Sequence, residues 1–158
     1  HPFLKRIGPD ILNPDLTWRV VADRLQSSAF ARRALNSVYL DQAFLAGLGN
    51  YLRSEILFVA GIHPAQKARD LSRGQIGKLA RATLEISQRS YALNGVTIPE
   101  RQYKSLKKQG ITFGGARFFV FSRAGKPCRV CKTKIERSTA NSRRIYTCAG
   151  CQRAPQRS

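Results

Sequence analysis

Hydrophobic positions in the first ninety residues recur with the spacing of a helix. Trp18, Val21, Ala22 and Leu25 follow the i, i+3, i+4, i+7 pattern behind Thr17, a residue type that favours helix N-caps. The pattern therefore predicts a helix that begins at Trp18. Because a tryptophan at this spacing faces a core more often than it forms a stacking platform, we interpret Trp18 as a packing residue.

The same criterion predicts three more helical stretches. The second contains Leu40, Ala43 and Phe44, and a polar helical segment near residues 29–36 precedes it. The third follows the segment Gly47-Leu48-Gly49 and is ended by Pro64, and the fourth begins near Asp70 or Ser72. Together with the first, these helices make the protein mainly α.

The helical period is lost in the second half of the chain. Residues 94–115 are rich in Gly, Pro and Lys, which predicts a long loop. Phe118–Phe121 has the composition of a strand, and Ala124-Gly125 predicts a turn. The longest apolar stretch, Ile56–Ile62, is far shorter than the ~20 residues of a membrane span. No hydrophobic leader opens the sequence, so secretion is not indicated.

Charge is strongly biased along the sequence. The 158 residues carry 28 Lys+Arg against 9 Asp+Glu, a net charge of +19, and at 42% hydrophobic they can form a core. Residues 1–100 have a net charge of +5, whereas residues 101–158 have 15 basic side chains against one acidic, or +14. Such a chain repels itself unless a polyanion binds it, so nucleic acid is the first candidate partner. A solvated basic tail is the alternative.

All four cysteines lie near the C-terminus, as Cys128-x2-Cys131 and Cys148-x2-Cys151 with sixteen residues between the pairs. This is the spacing of a zinc ribbon. Four thiolate ligands leave no open coordination position, so we expect one structural zinc rather than a catalytic one. Buried thiols or two disulfides are the alternatives.

The segment between the cysteine pairs predicts a β-hairpin with strands Lys132–Arg137 and Arg144–Thr147 and a turn at 139–142. Arg143 lies at its tip. A guanidinium group on a rigid tip suits phosphate, because it is planar, permanently charged and bidentate. The alternative is an ordinary solvated arginine.

The segment Gly47-Leu48-Gly49-Asn50 predicts a second anion site. Asn50 is a favourable N-cap, and the amides of Leu52 and Arg53 then point outward at the positive end of the helix dipole. A phosphate binds readily at such a position. A capped corner that binds nothing is the alternative.

Three stretches together resemble the C-terminal half of the formamidopyrimidine-DNA glycosylase/endonuclease VIII family. They are Lys5-Arg6-Ile7-Gly8-Pro9-Asp10, the segment from Leu40-Asp41-Gln42 to Gly47-Leu48-Gly49-Asn50, and the four-cysteine C-terminus. The opening is closer to the endonuclease VIII branch. The resemblance implies a helix–two-turns–helix bundle over residues 1–116, followed by a zinc-finger β-hairpin over residues 117–158.

The resemblance also implies function. Family members are base-excision repair DNA glycosylases and AP lyases, and this branch prefers oxidised pyrimidines in double-stranded DNA. The matching positions imply DNA contacts for Arg6, Asn50 and Arg143, with Arg143 also assisting elimination. One structural zinc, a monomer and a bacterial cytoplasmic location at the nucleoid are further expectations.

One departure separates the sequence from the family. The family nucleophile is the free amine of an N-terminal proline, followed by a catalytic glutamate. This sequence begins at His1, contains no Met, and its Pro2 nitrogen is an amide. We therefore expect a chain without its catalytic N-terminal domain that is inactive alone. A non-catalytic zinc-ribbon module that binds nucleic acid is the alternative function.

The remaining polar candidates have ordinary interpretations. Asp41 and Glu55 are predicted to cap helices or to pair with arginines such as Arg53. His63 has no partner at ligand spacing and is predicted to be a surface residue. Two interpretations of Lys104, Lys107 and Lys108 stay open: they contact a nucleic-acid backbone, or they are ordinary solvated side chains of the predicted loop.

Overall fold

A computed structural model describes residues 7–154, and the predictions for His1, Pro2 and Arg6 concern residues outside this range. The elements are α1 (Trp18–Leu25), α2 (Leu35–Val38), α3 (Asn50–Ala60), a 3-10 turn (Ala68–Asp70), α4 (Arg73–Ala92), α5 (Glu100–Lys108), α6 (Phe113–Ala116), β1 (Glu136–Ala140) and β2 (Arg143–Thr147). Within this part of the chain, no helix has the length and apolar character needed to cross a bilayer.

Capping residues begin the predicted helices where the sequence placed them. The Thr17 hydroxyl accepts a hydrogen bond from the Val20 amide at 3.3 Å and caps α1. Ser72 and Gln75 form a capping box at the start of α4, in which each side chain satisfies the other's backbone amide. Helices α1 and α3 both pack against α4, and these three helices provide about half of the main hydrophobic core.

Helix α3 runs through the middle of the molecule. Its residues from Leu52 to Phe58 are all buried, and they include Arg53 and Glu55, each 0% exposed. The helix ends at Gly61, whose φ of 71° is left-handed, and not at Pro64 as predicted. A helix buried on all sides must satisfy its own polar side chains, and those of α3 reach the C-terminal part of the chain.

Two of the elements predicted for residues 1–116 are wrong. Residues 29–44 form a series of turns with the single short helix α2, because their apolar residues pack from irregular backbone. Residues 94–115 are not a long loop, since they contain α5 and α6. The segment forms a helix because Glu100 in the first turn and Lys107 and Lys108 in the last complement the helix dipole.

The hairpin differs from its prediction in register. Strands β1 and β2 pair from Glu136↔Thr147 to Ala140↔Arg143, and only Asn141 and Ser142 connect them. Both connecting residues have a left-handed φ, 59° and 60°, which is the geometry of a two-residue type I′ turn. The predicted four-residue turn is therefore two residues too long.

The hairpin packs directly on α3. A second core cluster joins Phe58 of α3 to Val120, Ile135, Tyr146 and the buried cysteines Cys128 and Cys148. The Tyr146 amide donates to the Ser54 hydroxyl at 3.1 Å, and the Gln152 side chain donates to the Ile62 carbonyl at 3.0 Å. The predicted boundary between residues 116 and 117 stays a prediction.

Candidate nucleic-acid interface

The four cysteines converge at the base of the hairpin. Their Sγ atoms all lie within 4.8 Å of one another, with 3.3 Å between Cys131 and Cys148 and 3.9 Å between Cys128 and Cys151. A disulfide would need about 2.05 Å. Four sulfurs around a zinc ion at about 2.3 Å would lie about 3.8 Å apart, so the donor set and its spacing fit a tetrahedral metal ion.

Backbone geometry holds each cysteine pair in a tight turn. The Val130 amide donates to Cys128 Sγ at 3.4 Å, and Lys132 follows Cys131 with a left-handed φ of 72°. The hydrogen bond between Cys131 and the Thr133 hydroxyl lowers the pKa of the Cys131 thiol to about 6, whereas burial raises the pKa of the Cys148 and Cys151 thiols. At Gly150, an added Cβ would lie 2.7 Å from Thr133 Oγ1 and 2.8 Å from Cys131 Sγ. The two turns therefore fit together only around a glycine.

Glu55 anchors the segment that leads into the cysteine site. Its carboxylate accepts hydrogen bonds from the Phe119 amide at 2.6 Å, the Val120 amide at 2.8 Å and the Phe121 amide at 3.1 Å. The Thr97 hydroxyl donates to it as well. Burial raises the pKa of Glu55, and these four donors oppose that shift.

The prediction that Glu55 caps a helix or pairs with an arginine is wrong, and so is the strand at Phe118–Phe121. Three successive amides of that segment point at one carboxylate, which leaves none of them free for a sheet partner. Asp41, in contrast, behaves as predicted and pairs with Arg33 at 2.8 Å.

Arg53 connects α3 to the turn of the hairpin. Its Nη1 donates to the Ala140 carbonyl at 3.3 Å and to Asn141 Oδ1 at 3.2 Å, and its Nη2 donates to Asn50 Oδ1 at 3.0 Å. Asn50 Nδ2 donates in turn to the Arg144 carbonyl at 3.1 Å. We call this set of hydrogen bonds between Asn50, Arg53 and residues 140–144 the tip contact.

The tip contact places Asn50 beside the strand that begins with Arg143. Asn50 is the first residue of α3, and Gly49 is the N-cap, so the prediction that Asn50 caps the helix is wrong. Its side chain is instead committed to the hairpin. The first helical hydrogen bond runs from the Arg53 amide to the Gly49 carbonyl, which leaves the three preceding amides of α3 without an acceptor among residues 7–154.

The tip contact is strongly positive. Burial, together with the nearby charge of Arg143, lowers the pKa of Arg53 to about 10, so the group still carries its charge at neutral pH. Within the described ranges no carboxylate pairs with Arg53, Arg143 or Arg144. Arg143 and Arg144 are exposed, and the positive end of the α3 dipole lies next to them. This arrangement attracts anions.

The other sequence candidates lie away from this site or are structural. His63 is half-buried in a turn, where its Nδ1 accepts from the Ala65 amide at 3.1 Å, and burial lowers its pKa. Trp18 packs partly on the core but keeps an exposed side. The lysines of 104–108 lie on α5, a helix with no buried residue.

Sequence reasoning missed the roles of Arg53, Glu55 and Gln152. One feature of the sequence could have indicated the roles of Arg53 and Glu55, because both are charged residues inside the apolar stripe of α3. A charge in such a position must find a partner. The sequence does not say which partner, because the acceptors and donors are backbone groups far along the chain.

The comparisons with known proteins agree with this geometry. Residues 7–102 match the model of the formamidopyrimidine-DNA glycosylase H2TH domain. Endonuclease 8 of Escherichia coli (strain HS) is 49% identical over 152 residues, and the enzyme of the same name from Shigella sonnei is 47% identical. Each alignment covers 96% of this chain and 54% of the relative, so the chain spans about half the length of these curated relatives.

Solved structures share the fold. The MutM (Fpg) protein from Thermus thermophilus superposes with a TM-score of 0.74 at 28% identity, over 96% of this chain and 55% of that one. The Lactococcus lactis Fpg, solved with DNA containing an abasic site, has a TM-score of 0.73 at 24% identity, over 97% of this chain and 55% of that one. With its helices and cysteine hairpin arranged in this way, the chain belongs to the family defined by the formamidopyrimidine-DNA glycosylase H2TH domain.

Proposed function

We propose that this chain is the DNA-binding half of an endonuclease VIII-type DNA glycosylase and AP lyase of base-excision repair. The observation that carries the proposal is the tip contact, which joins the first turn of α3 to the strand carrying Arg143 on one positive surface. Double-stranded DNA that contains an oxidised pyrimidine is the proposed substrate. The relatives named above are bacterial, so a bacterial cytoplasm is the proposed location.

In this proposal each part of the surface has a task. The free amides at the start of α3 and the Asn50 side chain bind backbone phosphates beside the lesion. Arg143 binds a flanking phosphate and assists elimination. Zinc, held by the four cysteines, supplies no chemistry and fixes the hairpin on which Arg143 stands. Arg6, outside the described residues, is proposed as a further phosphate contact.

The chemical steps are proposed to belong to residues outside this sequence. An amine nucleophile and a glutamate would have to come from the part of the relatives that this chain does not span. The 158-residue chain alone should therefore bind duplex DNA as a monomer without cleaving it. Borohydride trapping on abasic-site duplex checks this, since a covalent adduct with the chain alone would contradict the assignment.

Binding of abasic-site duplex by fluorescence anisotropy tests the proposal directly. Loss of one phosphate contact in Arg143→Ala should weaken binding about tenfold and reduce the slope of log K against log salt by about 1. The matched control is Arg81→Ala, which removes the same charge from an exposed position on α4. If both variants weaken binding equally at every salt concentration, the surface at the tip contact is not the DNA site.

A further inference from the structure

A second basic surface lies on the opposite end of α4 from the tip contact. It is a groove of about 490 Å³ between α1 and the first two turns of α4. We call it the Trp18 groove. Its floor and rim include Trp18, Arg19, Asp23, Arg73, Gly77 and Arg81.

The groove is built around a tryptophan with two arginines over its ring. The guanidinium carbon of Arg81 lies 3.9 Å from the centroid of the Trp18 ring, and that of Arg19 lies 4.9 Å from it. Contact with an aromatic face restrains a guanidinium group and leaves its N–H edges free. The edges of both groups are therefore ready to bind a carboxylate.

These arginines have no counter-charge of their own. Across residues 7–154, neither they nor Arg73 forms an ion pair, and all three side chains are exposed. Asp23 is the single acidic residue of the lining. Three unpaired arginines around one groove attract an acidic ligand.

The start of α4 forms the floor of the groove, and two glycines lower the stability of the helix there. Gly74 and Gly77 lie in the first two turns of α4, where glycine is about 1 kcal/mol less favourable than alanine. A Cβ at Gly77 would lie 3.1 Å from Arg81 Nη1 and 3.9 Å from the Trp18 ring. A Cβ at Gly74 would have only Ser72 Oγ near it, at 3.9 Å. Gly77 therefore keeps the floor open for the Trp18–Arg81 pair.

The groove is separate from the tip contact. Helices α3 and α4 run antiparallel, since the Tyr51 hydroxyl bonds Ser90 at 2.8 Å while Gly61 lies near Lys78. Thirteen residues of α4 separate Ser90 from Gly77, or about 20 Å along the axis. A ligand in the groove can thus bind while the tip contact is occupied.

We propose that the Trp18 groove binds an acidic peptide segment of a protein partner, with its carboxylates on Arg19, Arg73 and Arg81 and an apolar side chain on the floor. A protein ligand is favoured over nucleic acid because guanidinium groups already lie over the indole, so a base would have to displace one to stack there. The apolar floor, which includes Ala22 and Ile76, would also gain nothing from a phosphate.

Trp18 is the single tryptophan of the sequence, so its fluorescence reports on the groove. The probe is a synthetic peptide, Glu-Glu-Leu-Glu-Glu-Leu-Glu, titrated into the 158-residue chain. The expected result is a saturable change in emission that the same peptide with Gln for Glu does not produce. In Arg81→Gln the dissociation constant should rise at least tenfold, whereas in Arg143→Ala it should change less than twofold.

Gly77→Ala separates binding from folding. The added methyl group should raise the melting temperature, because alanine favours the helix, yet it should weaken peptide binding by crowding Arg81. The control is Gly114→Ala in α6, outside the groove, where an added Cβ has nothing within 4 Å; it should leave peptide binding unchanged.

Three outcomes would overturn the proposal: equal binding by wild type and Arg81→Gln, equal binding of the Gln peptide, or loss of duplex binding in Arg81→Gln as large as the loss of peptide binding. The last would assign the groove to DNA. The first two outcomes leave Arg143 and the proposed repair function untouched, whereas the third would also make Arg81→Ala unsuitable as the control for Arg143→Ala.

Discussion

The helical part and the hairpin part of this protein are held together by different means. The helical part buries twenty-three hydrophobic residues in one cluster, whereas the hairpin cluster has six, two of which are Cys128 and Cys148. The hairpin compensates with four cysteines that can hold a metal ion and with polar contacts to Ser54, Arg53 and Glu55 of α3. The difference indicates that the hairpin can be unfolded while the helices persist.

Metal removal should have the largest effect. A structural zinc contributes on the order of 10 kcal/mol to the folding of such a site. A chelator should therefore abolish the protection of β1 and β2 amides in hydrogen exchange while far-UV circular dichroism keeps its helical signal. Added zinc should restore protection. If the β1 and β2 amides stay protected in a sample that elemental analysis shows to be free of metal, the hairpin does not depend on the metal as expected here.

Glu55→Gln should have the next largest effect. Each carboxylate oxygen of Glu55 accepts two hydrogen bonds. The glutamine NH2 group, itself a donor, would replace one of these oxygens and could not accept from the two donors that point at it. We expect a loss of about 2–6 kcal/mol in the free energy of unfolding, because two donors lose their acceptor and each costs about 1–3 kcal/mol. Urea titration measures it. The control, Glu85→Gln on the exposed face of α4, should change stability by less than about 0.5 kcal/mol.

Arg53→Met should affect binding more than stability. The methionine fills the buried space but leaves the carbonyls of Ala140 and Arg144 without this donor, at a cost of about 1–3 kcal/mol. Duplex affinity should fall about as far as in Arg143→Ala, because the strand carrying Arg143 loses its support. Arg24→Met removes an arginine that donates to the Phe44 carbonyl at 2.8 Å. Arg24→Met should lower stability by a similar amount without the same loss of duplex affinity. If it lowers duplex affinity as much as Arg53→Met does, the tip contact has no special role in binding.

Ser142→Gly should have the smallest effect, and it should be stabilising. Ser142 has a φ of 60°, where glycine is not strained, and type I′ turns favour Asn-Gly. We expect a gain of up to about 1 kcal/mol, visible as slower hydrogen exchange in β1 and β2. Ser105→Gly in α5 should instead lose about 1 kcal/mol, since that backbone is helical. A loss in Ser142→Gly would mean that the turn is held in some other way.

The fold could be predicted from the sequence wherever the signal was local. The apolar stripe of α3, the caps Thr17 and Ser72, and the spacing of the four cysteines each lie within a few residues or a fixed pattern. The mistakes also have local causes. Residues 94–115 were predicted to be a loop because the stretch is rich in lysine and has no apolar stripe, although it contains α5. The hairpin turn was predicted too long because Asn141 and Ser142 form a two-residue turn without a glycine.

The candidate site was only half predictable. Asn50 and Arg143 could be named from residue type and from the family resemblance, but nothing in the sequence shows that their elements meet. Glu55 lies 42 residues from Thr97 and 64 from Phe119, and it binds amides that any residue would supply. Such a contact leaves no mark on the sequence of its partner, so only the three-dimensional structure reveals it.

Gly150 carries no ligand atom, and yet it lies where the two cysteine turns touch, too close to Cys131 for any side chain. A random mutagenesis screen for misfolding of the hairpin should therefore recover alleles at codon 150 about as often as alleles at the cysteine codons. Alanine, the smallest replacement, should already disrupt the cysteine site, because its methyl group would displace the Cys131 sulfur.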